Sequence, residues 1–94
     1  MRRYEIVFGS VQTRKSWISL EQELPNFMQE CREYLEQTPE DRLKSNNRLK
    51  KLKGRYKGIL QYDVTKNDAR VWYIVDRENR CVVIKRAGHH PDKY

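Results

Sequence analysis

Residues 70–76 read Arg-Val-Trp-Tyr-Ile-Val-Asp, and this stretch decides the fold class. Its five central residues are all β-branched or aromatic, which favours a β-strand. Because apolar side chains occupy both alternating faces, we expect this strand to be central in a sheet. Turn residues stand on either side, at Thr65-Lys66-Asn67-Asp68 and Arg77-Glu78-Asn79-Arg80.

Two further strands are predicted beyond these turns. Leu60, Tyr62 and Val64 alternate with polar residues, as in a strand with one buried face. On the other side, residues 81–86 read Cys-Val-Val-Ile-Lys-Arg. Three successive strands joined by short turns predict an antiparallel meander.

The N-terminal half predicts one strand and a helical hairpin. Residues 4–8 (Tyr-Glu-Ile-Val-Phe) resemble a strand that ends at Gly9. Trp17, Leu20 and Leu24 then recur at helical spacing, and Pro25 suits the first turn of a second helix. The predicted fold class is therefore α+β, with an N-terminal strand, two helices and a three-stranded meander whose apolar face the helices cover.

A short third helix or turn, running into Ser45-Asn46-Asn47, is predicted after the hairpin. Thr38 could cap it, Pro39 suits its first position, and Glu40 and Asp41 would favour its positive end. We expect three leucines to anchor the segment that follows to the body of the domain: Leu43, Leu49 and Leu52.

Charge is distributed unevenly along the chain. The net charge is +7, yet residues 16–41 hold seven acids and one arginine, while residues 42–57 hold eight bases and no acid. A basic block of this kind is typical of a surface that binds a polyanion, although a solvated face would give the same pattern. Basic side chains attract the phosphates of a nucleic acid largely without regard to its nucleotide sequence. We therefore expect a nucleic-acid partner, and RNA is the expected one.

Composition excludes several classes of protein. Ninety-four residues predict a single domain spanning 1–94. No apolar run is long enough for a membrane span and no signal segment is evident, so we expect a cytoplasmic protein. Cys31 and Cys81 lie within apolar patterns, which favours two buried thiols over a disulfide or a metal pair.

The C-terminal segment, residues 87–94, carries groups that could transfer protons. His89 and His90 are the only histidines, and an imidazole titrates near neutral pH. Cleavage of RNA needs such an acid or base together with cations that stabilise the phosphorane. A polar tail without a catalytic role remains the alternative. No ligand spacing beside the histidines suggests a metal, so neither metal nor cofactor is expected.

Three segments together resemble the RelE/ParE superfamily of toxins, which are encoded with an antitoxin. They are Leu49-Lys50-Lys51-Leu52-Lys53-Gly54, the strand at residues 70–76, and the terminal Ala87-Gly88-His89-His90-Pro91-Asp92-Lys93-Tyr94. The resemblance covers residues 49–94 best. It implies a helical hairpin packed on an antiparallel sheet, and in one branch of the superfamily it implies ribosome-dependent cleavage of mRNA without a metal.

The resemblance also implies roles for individual residues. His90 would be the general acid or base, Tyr94 would orient or stack on the substrate, and Arg70 would hold phosphate at the catalytic centre. The expected RNA-binding residues are Lys50, Lys51, Lys53, Arg55, Lys57, Arg86 and His89. Toxins of the ribonuclease branch usually carry arginine where this chain has Gln61 or Asp63, so a phosphate clamp is missing there.

The expected partners are mRNA, on the ribosome, and a cognate antitoxin protein. Two alternatives remain open. A ParE-like protein shares the fold but inhibits DNA gyrase by binding, and the missing strand arginine favours that reading. A toxin-like protein could also have lost its activity and serve only as a partner of the antitoxin.

Overall fold

The computed structural model describes residues 3–89, and five strands in this range form one sheet with two helices on one face. The elements in chain order are β1 Glu5–Phe8, α1 Val11–Glu23, α2 Pro25–Gln37, β2 Leu49–Lys51, β3 Leu60–Asp63, β4 Arg70–Asp76 and β5 Cys81–Gly88. Single 3-10 turns lie at Leu43–Ser45 and Gly54–Tyr56.

The strand order is β1-β5-β4-β3-β2, so β4 is central, as its apolar sequence predicts. Strands β3, β4 and β5 pair antiparallel and form the predicted meander. The chain returns through the helices, so β1 lies parallel to β5 at one edge. The predicted α+β class, with its N-terminal strand and helical hairpin, is confirmed.

Local sequence sets the ends of both helices. The hydroxyl of Ser10 accepts a hydrogen bond from the backbone N–H of Thr13 and caps α1. Pro25 begins α2, where its missing N–H needs no partner. The helices then present Trp17, Leu20 and Leu35 to the sheet, all almost fully buried in the core.

The predicted helix start at Thr38 is wrong, whereas the alternative prediction of a turn before Asn46 is confirmed. Thr38 ends α2, and only the 3-10 turn at Leu43–Ser45 follows. Asp41 provides the capping interaction, since one carboxylate oxygen accepts the N–H groups of Leu43 and Lys44 at 3.0 and 3.2 Å. Leu43 is 92% exposed and anchors nothing, whereas Leu49 is buried as predicted.

The sequence patterns also missed strand β2. Residues 49–51 pair antiparallel with β3, so part of the basic block lies within the sheet instead of preceding it. Three residues are too few for an alternating pattern to be visible. Tertiary pairing alone makes this segment a strand.

The cysteines match their predicted environment in part. Cys31 is fully buried and Cys81 is half-buried, and both are free thiols. Burial raises the pKa of the Cys31 thiol well above its usual value, which makes it unreactive. No helix within residues 3–89 has the length and hydropathy to cross a membrane.

Candidate nucleic-acid interface

One row of side chains crosses four strands of the sheet at a shared register position. Lys50 of β2 pairs with Gln61 of β3, Gln61 with Trp72 of β4, and Trp72 with Arg86 of β5. Successive side chains of a strand point to opposite faces. Since Tyr62, Val71 and Tyr73 pack into the helix-covered core, this row belongs to the face without helices, called here the open face.

Trp72 connects the row through a chain of hydrogen bonds. Its indole N–H donates to the Gln61 Oε1 at 2.8 Å, and the Gln61 Nε2 donates to the Asp63 Oδ1 at 2.8 Å. Both Gln61 and Asp63 are buried, so each bond satisfies a polar group shielded from water. The relay fixes the orientation of the amide and of the carboxylate.

Asp63 places a negative charge among the basic groups of the open face. Its Oδ2 lies 3.0 Å from the Lys50 Nζ, and its Oδ1 lies 3.9 Å from the Nε of Arg70 on the neighbouring strand. The carboxylate is only 10% exposed, while the Lys50 side chain is 57% exposed. Two predicted phosphate-binding residues therefore already share an internal counter-ion.

The centre of the open face is aromatic and basic. The Tyr56 ring lies 5.0 Å from the Trp72 ring between centroids, inclined at 56°. The Arg86 guanidinium lies 5.9 Å from the Trp72 ring centroid. Trp72 is itself only 6% exposed, so the half-buried Tyr56 ring supplies the aromatic surface on which an unpaired base could stack beside these cations.

A polar cavity of about 450 Å³ adjoins this face beside Asp63. Its lining includes three basic side chains and three amides: Arg48, Lys50, Lys66, Asn46, Asn47 and Asn67. Arg48 is held there because its guanidinium donates to the backbone carbonyls of Asp63 and Val64. The cavity offers hydrogen-bond donors and positive charge next to the row.

His89 is held between two carboxylates where the chain leaves β5. Its Nδ1 lies 2.5 Å from the Asp68 Oδ2, and its Nε2 lies 2.9 Å from a Glu23 carboxylate oxygen. Both hydrogen bonds raise the pKa of the imidazole above its ordinary value, and the one with Glu23 has the larger effect. The clasp ties the end of β5 to the end of α1 and to the β3–β4 turn.

No protein-family model matches the chain, and no curated protein matches it. Solved structures do. One is a chain of the toxin–antitoxin complex RelBE2 from Mycobacterium tuberculosis, 23% identical, covering 98% of this chain and 97% of that one, with a TM-score of 0.62. Another, from the YoeB–YefM complex of Staphylococcus aureus, is 20% identical over 95% and 99% of the two chains (TM-score 0.63). YafQ from E. coli is 18% identical over 93% of each chain (TM-score 0.63).

The chain has the fold of these toxins. The RelE/ParE-like architecture that the three segments implied is therefore confirmed over nearly the whole length of the chain. Identities this low establish the fold alone. The site must be judged on its own residues.

In this RelE/ParE-like fold the predicted site residues fall into separate groups. Lys50, Arg70 and Arg86 come together on the open face. Lys51, Lys53 and Lys57 instead line a second cavity at the other end of β3, next to Ile59 and Val75. Arg55 is exposed in the short turn that carries Tyr56. Their roles in RNA binding stay predictions.

Two predicted catalytic residues, His90 and Tyr94, lie outside the described residues. His89 precedes them and is bound by Glu23 and Asp68. Sequence reasoning missed Glu23 as a partner of this segment because 66 residues separate the two in the chain. It also missed the joint role of Gln61 and Asp63, although their polar side chains between buried strand residues were a signal.

Among residues 3–89 there is no cluster of three or more His, Cys, Asp or Glu side chains that could hold a metal ion. The two carboxylates around His89 contact opposite ring nitrogens and do not converge on one point. The chemistry that this part of the chain can offer is positive charge, hydrogen-bond donors and aromatic surface.

Proposed function

We propose that the chain is the toxin of a type II toxin–antitoxin pair and acts in the cytoplasm as an mRNA endoribonuclease that needs no metal. It would act on mRNA bound to the ribosome and be neutralised by its cognate antitoxin. The fold it shares with chains of RelBE2 and YoeB–YefM toxin–antitoxin complexes supports the toxin role.

The observation that carries the proposal is the row Lys50, Gln61, Trp72 and Arg86 on the open face, with Arg70 beside it. Cations alone would bind any polyanion. Cations beside the half-buried Tyr56 ring, which packs on the buried Trp72, can hold phosphates while an unpaired base stacks on the tyrosine. That combination suits single-stranded RNA better than duplex DNA.

The proposed reaction is transesterification within the RNA strand. A base removes the proton of a 2′-hydroxyl, the 2′-oxygen attacks the adjacent phosphorus, and the bond from phosphorus to the 5′-oxygen breaks. An acid supplies a proton to that 5′-oxygen, which leaves a 2′,3′-cyclic phosphate and a 5′-hydroxyl. His90 would serve as the acid or the base, Tyr94 would orient the substrate, and Arg70 would stabilise charge on the phosphorane.

Substitution His90→Ala tests the mechanism. It should abolish growth arrest and the appearance of new mRNA 5′ ends in expressing cells, without changing the thermal unfolding of the purified protein. Arg70→Ala should reduce cleavage strongly, whereas Arg77→Ala, which removes an exposed guanidinium paired with Glu40, should not. Undiminished cleavage by the His90 variant would remove the mechanism.

A second candidate is a ParE-like protein that binds DNA gyrase, and Asp63 is the observation that favours it. A carboxylate 3.0 Å from Lys50 weakens a phosphate site. Plasmid supercoiling measured beside transcript cleavage in the same cells separates the two. Overexpression that harms neither would instead support a toxin-like protein without activity, which serves only as an antitoxin partner.

A further inference from the structure

Three segments that are distant in sequence meet at the end of β5. His89 follows Gly88, the last residue of β5, and its two ring nitrogens contact Asp68 and Glu23. Asp68 belongs to the β3–β4 turn, and Glu23 is the last residue of α1. We call these three side chains the His89 clasp. Within residues 3–89, the charged groups that face the ring are the two carboxylates.

Both carboxylates of the His89 clasp are carried by anchored parts of the fold. Helix α1, which ends in Glu23, is fixed to the core by Trp17 and Leu20, and both are almost fully buried. Asp68 precedes the fully buried Ala69, whose backbone N–H donates to the Thr65 hydroxyl at 2.8 Å. The clasp therefore ties the end of β5 to two positions that the core fixes.

The two contacts are favourable together only while the imidazole is protonated. A neutral ring has a single N–H, so its other nitrogen would turn a lone pair toward a carboxylate. The protonated ring has two N–H groups and donates one to Asp68 and the other to Glu23. These hydrogen bonds raise the pKa of the ring, and the one with Glu23 has the larger effect. The clasp is therefore closed at lower pH and opens as the ring loses its proton.

The His89 clasp adjoins a residue of the proposed reaction. Arg70 pairs with Gly88 in the antiparallel ladder of β4 and β5, and His89 is the next residue along the chain. His90 is bonded to His89, and Cα atoms joined by a trans peptide are about 3.8 Å apart. A contact that fixes His89 therefore limits how far the attachment point of His90 can move relative to Arg70.

We propose that Glu23 and Asp68 are positioning residues for RNA cleavage, which act through His89 to hold the C-terminal segment beside Arg70. Neither carboxylate needs to touch the substrate. The inference rests on the proposed ribonuclease activity and adds a control of that activity by pH. The clasp supports cleavage while the ring is protonated, and this support is lost as the pH rises through the folded pKa of His89.

The size of the effect follows from the exposure of the groups. The side chains of His89, Glu23 and Asp68 are 46%, 53% and 56% exposed, so solvent weakens both ion pairs. Two such pairs at one residue should change the cleavage rate by about threefold to tenfold.

Cleavage of ribosome-bound mRNA by purified full-length protein, measured between about pH 6 and 8, tests the proposal. The variant E23Q/D68N keeps groups that accept hydrogen bonds but removes both charges. Wild-type protein should cleave about threefold to tenfold faster than this variant at the low end, and the ratio of the two rates should approach one above the folded pKa of His89. The ratio cancels the pH dependence that His90 and the ribosome impose on both proteins.

A matched variant separates the clasp from a general effect of charge. E33Q/E78Q also removes two exposed carboxylates, but neither contacts His89, and it should cleave like the wild type at every pH. An NMR measurement needs no RNA. The heteronuclear NOE of the Gly88 and His89 amides should be lower in E23Q/D68N than in the wild type at low pH, and the two proteins should converge as the pH rises.

The outcomes separate this inference from the proposed function. Equal cleavage by wild-type protein and E23Q/D68N at all pH values would overturn the inference and leave the ribonuclease activity standing. A loss of cleavage that does not change with pH, or that E33Q/E78Q shares, would also overturn it, because it would indicate altered folding or net charge. Wild-type protein that cleaves no RNA at any pH would overturn the proposed function together with the inference.

Discussion

The Lys50 Nζ lies 3.0 Å from the Asp63 Oδ2, so the open face carries its own anion beside its basic groups. Asp63 also faces Arg70 and accepts a hydrogen bond from Gln61. A substrate phosphate that approaches Lys50 or Arg70 must compete with this carboxylate. The pairing should therefore lower the affinity of this face for polyanions.

Substitution Asp63→Asn should therefore increase the affinity for single-stranded RNA. The amide keeps an oxygen that can accept from Gln61 but removes the charge that competes with phosphate. If Lys50 and Arg70 each gain a phosphate, the plot of log K against log salt should steepen by about 1.4. The measurement is a salt titration of RNA binding. Glu33→Gln, the same charge change on exposed α2, is the control, and equal effects of both variants would contradict the role of Asp63.

The Trp72–Gln61 hydrogen bond should contribute to stability through its burial. Trp72→Phe leaves the Gln61 carbonyl without its donor, and an unsatisfied buried polar group costs about 1–3 kcal/mol. Phenylalanine also fills less volume than tryptophan, which adds to the loss. Chemical denaturation of the two single variants Trp72→Phe and Gln61→Leu and of the double variant measures the coupling. Strictly additive losses would show that the bond contributes nothing.

The imidazole of His89 should titrate above its ordinary pKa of about 6.5, because Glu23 and Asp68 hydrogen-bond the charged ring. The protonated form is favoured in the folded state. Its stabilisation is fully present below the unfolded pKa and is lost as the pH rises through the higher folded pKa. NMR titration of the His89 ring should show this raised value, and E23Q/D68N should lower it.

The same clasp gives a second readout. Wild-type protein should lose stability relative to the His89→Gln variant as the pH rises through the folded pKa, and the effect should be small because the ring is 46% exposed. A stability difference between the two proteins that does not change with pH would contradict an ionic clasp.

Leu35 and Leu43 differ in burial and should therefore respond differently to truncation. Leu35→Ala, at a fully buried position in the core, should lower the free energy of unfolding by about 2–5 kcal/mol. Leu43→Ala should change it by less than about 0.5 kcal/mol, since the side chain is 92% exposed. Thermal or urea denaturation compares the two, and similar losses would contradict the exposed placement of Leu43.

Local patterns predicted most of the fold because their causes are local. Residues 70–76 indicate a central strand through apolar side chains on both faces, and Pro25 marks the start of a helix because it lacks an N–H. The same reasoning failed at Thr38 and at residues 49–51. A good capping residue cannot begin a helix that has no apolar face to bury, and a three-residue strand depends on its partner.

The sequence by itself determined most of the strand and helix pattern, the concentration of basic residues at 42–57 and the presence of two adjacent histidines, His89 and His90. Only the tertiary structure decided which of those charges act together. Alternation along the sheet sends Lys50 to the open face and Lys51 to the second cavity, at the other end of β3, although the two are adjacent in sequence. Strand pairing likewise brings Asp63 to Arg70, and the fold brings Glu23 to His89, because contacts between distant residues depend on register and packing.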